Sequence, residues 1–360
     1  DIALKENLEL KAEKYKVEQK KYQYEAFKGY LFPQLSLSYF FMRTDQPPYS
    51  IMFRMNTHSL QFPRPSSLTV AGLAQAFQEM EAYFNNPGSN QIYDLALKVQ
   101  VPIWMGGKVR NALKGKFLEW KAQRLMADRK AEEIAYTVAD TFLKTLYAKE
   151  AVRATETALK DVAQHLKVVK KMYESGLALY SDLLRVKVYY ESVKAKNEEA
   201  KNNLYVAKKA LALLLNKDWN PQSITLKGKL LCPSPSEVKR RFKELLRWAV
   251  DSRKDLLALK EGIAAVNYYK KATWGKYLPD FVAFGEYHLY DNQRVGNFVA
   301  NSYTVGVGLQ WKLFDGLSAF NEVKMLKEKE RELKTTLNYA QKGIRFELTR
   351  AYKEYQTAYA

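Results

Sequence analysis

The residues best suited to chemistry in this chain are few and scattered. Three histidines, His58, His165 and His288, fall in a loop, a long helical stretch and a strand. None has partners at the spacings a zinc site uses. Met42, Met52 and Met55 come closest to a cluster among eight methionines; they read as loop and barrel packing rather than a copper relay, which needs soft ligands converging on one point. Residues 104–108 hold two glycines and a lysine, without the spacing of a phosphate-binding loop. Glu132-Glu133, Glu198-Glu199 and Glu237 alternate with lysines on helical stretches and read as solvated faces with i,i+4 pairs, not paired catalytic acids. No nucleophile stands beside a base. The sequence predicts no enzyme, no cofactor and no metal.

Composition bounds what remains. The 360 residues carry 58 Lys and Arg against 39 Asp and Glu, a formal charge of +19, and the mean hydropathy is -0.42. No run of about 18 apolar residues occurs, which excludes a polytopic helical membrane protein. A membrane β-barrel stays open, because its strands are about ten residues long and alternate in polarity. The single cysteine, Cys232, cannot form an intramolecular disulfide. The basic excess suits nucleic acid, an anionic membrane surface, or the charge-dense exposed helices of a thermophilic protein.

The elements follow from periodicity. In residues 1–29, Leu4, Leu8, Ala12, Tyr15 and Tyr22 recur at helical spacing until Pro33 breaks the pattern. From residue 35 to 41 the odd positions are Leu35, Leu37, Tyr39 and Phe41 with polar residues between most of them, a strand with two unlike faces. Residues 43–90 are punctuated by Pro47, Pro48, Pro63, Pro65 and Pro87; they read as a long loop with a short helix at 70–83. A second strand places Tyr93, Leu95, Leu97, Val99, Val101 and Ile103 on one face and Asp94, Lys98 and Gln100 on the other, closing at Trp104 and Gly106-Gly107.

From residue 108 to 174 there is no proline and one internal glycine, Gly115, so a helix of about 100 Å is predicted. Its apolar residues recur at three and four with many alanines between them. Gly176 interrupts it, Asp182 or Ser181 is placed to cap a returning helix to Leu215, and an antiparallel hairpin results. Residues 216–236 read as loop with a short strand at 224–226. A helix is predicted over 237–273, a strand over 280–290, and a strand with Tyr303, Val305, Val307, Leu309, Trp311 and Leu313 at odd positions. A last helix is still running at Ala360.

The order helix, proline, strand, loop, strand, aromatic-x-Gly, long helix thus occurs twice. Tyr30-Leu31-Phe32-Pro33 resembles Lys276-Tyr277-Leu278-Pro279, and Trp104-Met105-Gly106 resembles Phe314-Asp315-Gly316. Such duplication bounds a fold more firmly than any single helix. The strands' apolar faces, with aromatics near the ends, fit a membrane barrel. Four strands cannot close around a useful pore and open edges are not tolerated in lipid, so several chains must contribute.

On these features, and on Tyr173-x-Ser175-Gly176-Leu177-x-x-Tyr180-x-Asp182-Leu183-Leu184 at the hairpin, the chain resembles the TolC family of bacterial outer-membrane efflux proteins. The resemblance implies a mostly helical fold with membrane β-structure: a homotrimer in which each chain gives four strands to a shared 12-stranded transmembrane barrel, continued by a helical barrel across the periplasm. It implies a helical segment at 1–32, barrel strands at 33–104 with an extracellular loop at 43–90, and a periplasmic hairpin at 105–215 with its tip near 174–182. An equatorial linker at 216–236, helices at 237–278, barrel strands at 279–314 and a second long helix at 315–360 complete it, with the second hairpin expected beyond. Leu35, Leu37, Tyr39, Phe41, Leu95, Leu97, Val99, Val101, Tyr303, Val305, Val307, Leu309 and Trp311 would face lipid. Gly106, Gly107 and Gly316 would turn strand into helix. Ser175, Gly176, Leu177, Tyr180, Asp182 and Leu183 would dock a periplasmic adaptor, or membrane fusion, protein, which links to an inner-membrane transporter of RND, ABC or MFS type. The implied function is the exit duct of a tripartite efflux pump or type I secretion system, in the outer membrane, with no specific nucleic acid. A strongly basic chain departs from a family that is often acidic inside the conduit, and a basic lumen would favour anions. Two other readings are a basic helical coiled-coil or nucleic-acid scaffold, which leaves the strands without a role, and a periplasmic adaptor subunit, which needs no duplicated strand pair.

Overall fold

A computed structural model describes residues 1–230, 242–293 and 296–359. The chain forms two compact units. One comprises Asp1–Tyr22, Leu118–Ala264 and Arg331–Ala360; the other comprises Gln23–Phe117 and Ala265–Glu330. In chain order the elements are α1 (Ile2–Glu6), α2 (Leu8–Lys28), β1 (Gln34–Thr44), α3 (Pro47–Asn56), α4 (Val70–Asn85), β2 (Asn90–Met105), α5 (Lys108–Glu174), α6 (Tyr180–Leu214), α7 (Phe242–Ser252), α8 (Lys254–Trp274), β3 (Asp280–Asp291), β4 (Ala300–Gln310) and α9 (Ser318–Tyr359). Among the described residues no helix is long and apolar enough to cross a membrane.

The second unit is organised by an antiparallel sheet in the order β1-β2-β3-β4. Gln34 pairs with Gln100 and Thr44 with Asn90, so β1 lies in unbroken register on β2. β2 and β3 pair from Tyr93 with Asp291 to Met105 with Asp280, with one register shift between Pro102 and Trp104. β3 and β4 pair without a shift from Asp280 with Gln310 to Tyr290 with Ala300. The shift makes Ile103 the extra residue of a bulge, so Trp104, not Ile103, continues the apolar face opposite Phe281. β4 ends at Gln310, and Trp311 lies just past it, its indole N–H donating to the Tyr277 carbonyl at 3.0 Å. The stretch at 45–89 holds α3 as well as α4. Pro47 and Pro48 open α3, because proline suits a first helical turn whose N–H groups have no partner.

The first unit is helical. Asn7 divides α1 from α2: its side-chain oxygen accepts the Leu10 N–H at 3.1 Å and its amide donates to the Leu214 carbonyl at 2.9 Å. Ala3 and Leu10 pack on Ile134, while Leu8, Tyr15 and Tyr22 of the apolar stripe stay exposed within this chain. α5 and α6 run antiparallel, with Leu146 against Leu211 and the buried Asn197 amide donating to Thr155 Oγ1 at 3.0 Å. The predicted strand at 224–226 does not form. A 3-10 turn, Pro221–Ser223, precedes it; Leu226 is buried with Leu146 and Leu211, and its carbonyl accepts Lys149 Nζ at 3.2 Å instead of a ladder partner. The predicted helix over 237–273 is divided at Arg253 into α7 and α8. Its start at 237–241, with Cys232, Pro233, Pro235 and Lys239-Arg240-Arg241, lies outside the described residues.

Candidate functional site

Residues opposite one another in an antiparallel ladder share a face, and the register sorts the sheet into two unlike surfaces. Leu35, Val99, Gly285 and Val305 form one row; Leu37, Leu97, Tyr287 and Tyr303 the next; Tyr39, Leu95, Leu289 and Asn301 a third. Val101, Ala283 and Val307, then Trp104, Phe281 and Leu309, extend this face toward the helices. Phe41 and Tyr93 close it at the far end, their ring centroids 4.7 Å apart. The face is bare within this chain: Leu37 is 68% exposed and Val307 79%. A water-soluble sheet would bury such a surface, since each large side chain withdrawn from water contributes about 2 kcal/mol.

The opposite, more hydrophilic face carries most of the sheet's polar side chains, with Phe40, Val282 and Phe284 among them. Ser36, Lys98, Glu286 and Thr304 form one row and Ser38, Ala96, His288 and Ser302 the next. His288 Nδ1 stands 2.8 Å from the Asp94 carboxylate and Nε2 stands 3.2 Å from Glu286, which also pairs with Lys98 at 3.5 Å. Asp280 pairs with Lys108 at 2.6 Å. On this face Asp94, Asp280 and Glu286 outnumber Lys98, the one strand lysine, so the basic excess of the chain is not carried here. Strand alternation alone puts Glu286, two residues before His288, on the same face, whereas Asp94 is a cross-strand neighbour that appears only once the register is known.

Strand becomes helix at two glycine corners. Gly106 (φ +58), Gly107 (φ +74) and Gly316 (φ +66) are all left-handed. A Cβ on Gly106 would stand 2.4 Å from the Gly275 carbonyl oxygen, and one on Gly275 would stand 2.5 Å from the Gly106 oxygen. Gly275, which no sequence motif marks, is therefore as necessary as Gly106. Nothing lies within 4 Å of a Cβ on Gly316. There the Asp315 carboxylate accepts the Ala319 N–H at 2.8 Å, capping α9. Just beyond the first corner, Gly115 lets α5 approach α8 so closely that a Cβ would meet the Tyr269 ring at 2.5 Å.

The hairpin tip is built by a Schellman motif. The Leu177 N–H donates to the Met172 carbonyl at 2.8 Å and the Gly176 N–H to Tyr173 at 3.0 Å, with Gly176 at φ +76. Ser175 Oγ donates to the Lys171 and Met172 carbonyls. α6 starts after Leu179 with no side-chain cap, and Asp182 lies in its first turn. The expected cap at Asp182 or Ser181 is thus replaced by a favourable charge at the positive end of the helix dipole. Leu177 is 78% exposed, and Leu179, Tyr180 and Leu184 are exposed beside it, while Leu183 is half-buried. Tyr173 and Tyr180 face each other across the turn at 5.8 Å.

One face of the sheet is thus apolar and bare, and the other gathers the charged pairs of the strands. The chain belongs to the outer membrane efflux protein family, whose model matches residues 1–217. It is an outer-membrane efflux protein. Its fold is similar to that of CusC, in a study of folding and transmembrane channel formation, at 15% identity and a TM-score of 0.77 over 99% of this chain and 74% of that one. The CmeC outer membrane channel of Campylobacter jejuni is 17% identical with a TM-score of 0.75, over 97% and 68% of the two chains. VceC of Vibrio cholerae is 17% identical with a TM-score of 0.73, over 99% and 77%. At these identities the likeness is one of fold. Among curated protein sequences none matches this chain.

Proposed function

We propose that three copies of this chain form one exit duct, passive in itself, in which each copy supplies four strands to a 12-stranded barrel. One observation carries the reading: across all four strands one face of the sheet is almost wholly apolar while the charged pairs gather on the other, and among the described residues β1 and β4 each keep one edge without a strand partner. Unsatisfied backbone groups at an edge cost several kcal/mol each in lipid, so β4 of one copy pairs with β1 of the next until the ring closes. The apolar rows, including Tyr303 and Leu309, face acyl chains, and the row of Lys98, Glu286 and Thr304 faces water. Residues 33–104 and 279–314 are then the membrane part, and 1–32, 105–215, 237–278 and 315–360 the helical conduit, with 216–236 around its middle. A 3-10 turn (Gly29–Leu31, then Gly275–Tyr277) followed by two strands and a long helix occurs on both sides of α6 and α7, with α3 and α4 inserted between the strands the first time, and this supports an internal duplication.

The exposed Leu177, Leu179 and Tyr180 at the tip, with Asp182 beside them, suit docking of a periplasmic adaptor, through which an RND, ABC or MFS-type transporter drives efflux or type I secretion. The first test is single-channel recording of the detergent-extracted full-length protein in planar bilayers. Discrete openings from a particle of three 41.7-kDa chains are expected. Failure to insert, with full solubility in the absence of detergent, would end this reading.

A further inference from the structure

The connection between β1 and β2 is far longer than a hairpin needs, and it does not hang free. Phe53 of α3 is 3% exposed and packs with Ile92, Tyr290, Ala300 and Met42. All four sheet residues belong to the hydrophilic face: Met42 is opposite Ile92, and Tyr290 is opposite both Asp94 and Ala300. The far end of that face thus carries an apolar patch, and the same chain supplies its occupant. From this seat we infer that residues 45–89 form a cap inside the outer mouth of the duct, with α3 narrowing the exit. The inference rests on the proposal above that the hydrophilic face lines the lumen.

The cap is held from several sides. Arg54 Nε donates to Asn90 Oδ1 at 3.0 Å, Nη2 to the Pro87 carbonyl at 3.1 Å and Nη1 to the Tyr83 hydroxyl of α4, while the guanidinium lies 5.0 Å from the Tyr83 ring centroid. Buried Ser50 donates to the Gly88 carbonyl at 2.8 Å and accepts the Asn90 amide. Arg43 at the end of β1 donates to Ser89 at 3.0 Å. One arginine therefore ties α3 to α4 and to the turn that starts β2, and one phenylalanine seats the assembly on the sheet. Opening the mouth fully requires Phe53 to leave its patch and α3 to swing on the 45–46 and 87–89 connections. A charged side chain at position 53 would not stay in that apolar seat.

The test uses full-length protein in a Cys232→Ser background, labelled on intact cells with a membrane-impermeant maleimide too large for general porins. Thr304→Cys reports the hydrophilic face and Val305→Cys the apolar one. Each is compared in the otherwise unchanged chain, in F53E, and in a chain whose residues 46–88 are replaced by two glycines. At least ten-fold faster labelling of Thr304→Cys is expected in both altered chains, with a several-fold rise in single-channel conductance and Val305→Cys protected throughout. If Thr304→Cys labels equally fast in all three and conductance is unchanged, the cap is overturned while the lumen assignment stands. If Val305→Cys labels and Thr304→Cys is protected in every chain, the faces are reversed and both proposals fall. F53E serves as the reading if the shortened chain does not assemble.

Discussion

Two glycines at equivalent corners face unequal penalties. At Gly106 any side chain meets the Gly275 carbonyl, and backbone cannot yield as a flexible side chain can. Gly106→Ala is expected to cost about 2–4 kcal/mol. Gly316→Ala meets only the left-handed backbone penalty, about 1 kcal/mol, so thermal unfolding in detergent should separate the two variants clearly. Charge at the single-residue scale is most structured at Arg253, which bonds Asp255 at 2.7 Å and Glu347 at 2.9 Å. Burial pushes the Asp255 carboxyl up, but the Arg253 guanidinium and the Leu256 N–H outweigh it and hold the group below its ordinary value. A depressed carboxylate stabilises the fold above its unfolded pKa, and that contribution is lost as pH falls through the folded pKa. Asp255→Asn should therefore lower stability at neutral pH by about 1 kcal/mol and flatten the acid limb of a stability–pH curve. An unchanged acid limb would remove Asp255 from that role.

At the scale of elements, period and punctuation explain what could be read in advance. The strands were legible because alternation puts every large apolar residue of β4 at an odd position, and α5 because 67 helical residues contain no proline. α3 escaped because Pro47-Pro48 look like breakers yet serve as a helix start, and the bulge at Ile103 escaped because alternation is unbroken in the sequence while the partner strand decides the register. Helix ends show the same limit. The motif that ends α5 at Gly176 ends α6 at Asn216 (φ +52) and α3 at His58 (φ +54), and only glycine signals it plainly. No atom lies within 4 Å of a Cβ on Gly176, so Gly176→Val strains the turn without a clash. Trimer yield should be unchanged while adaptor capture in a pull-down falls; intact capture would release the tip from its docking role.

For the whole molecule, the exposed apolar residues are its least satisfied feature. Tyr136, Leu143, Tyr147 and Val188 on the helices, like the sheet rows, find no cover within one chain. The open edges of β1 and β4 carry a genetic meaning beyond geometry. In the proposed three-chain ring, a chain with one spoiled edge can still pair through the other, so it would join a ring that never closes. Proline at Val305, in the middle of β4, should therefore be dominant: co-expressed with the unaltered chain, it should depress efflux far more than its share of the protein, since most mixed rings hold at least one damaged member. A recessive phenotype would mean that rings select their members before the strands meet.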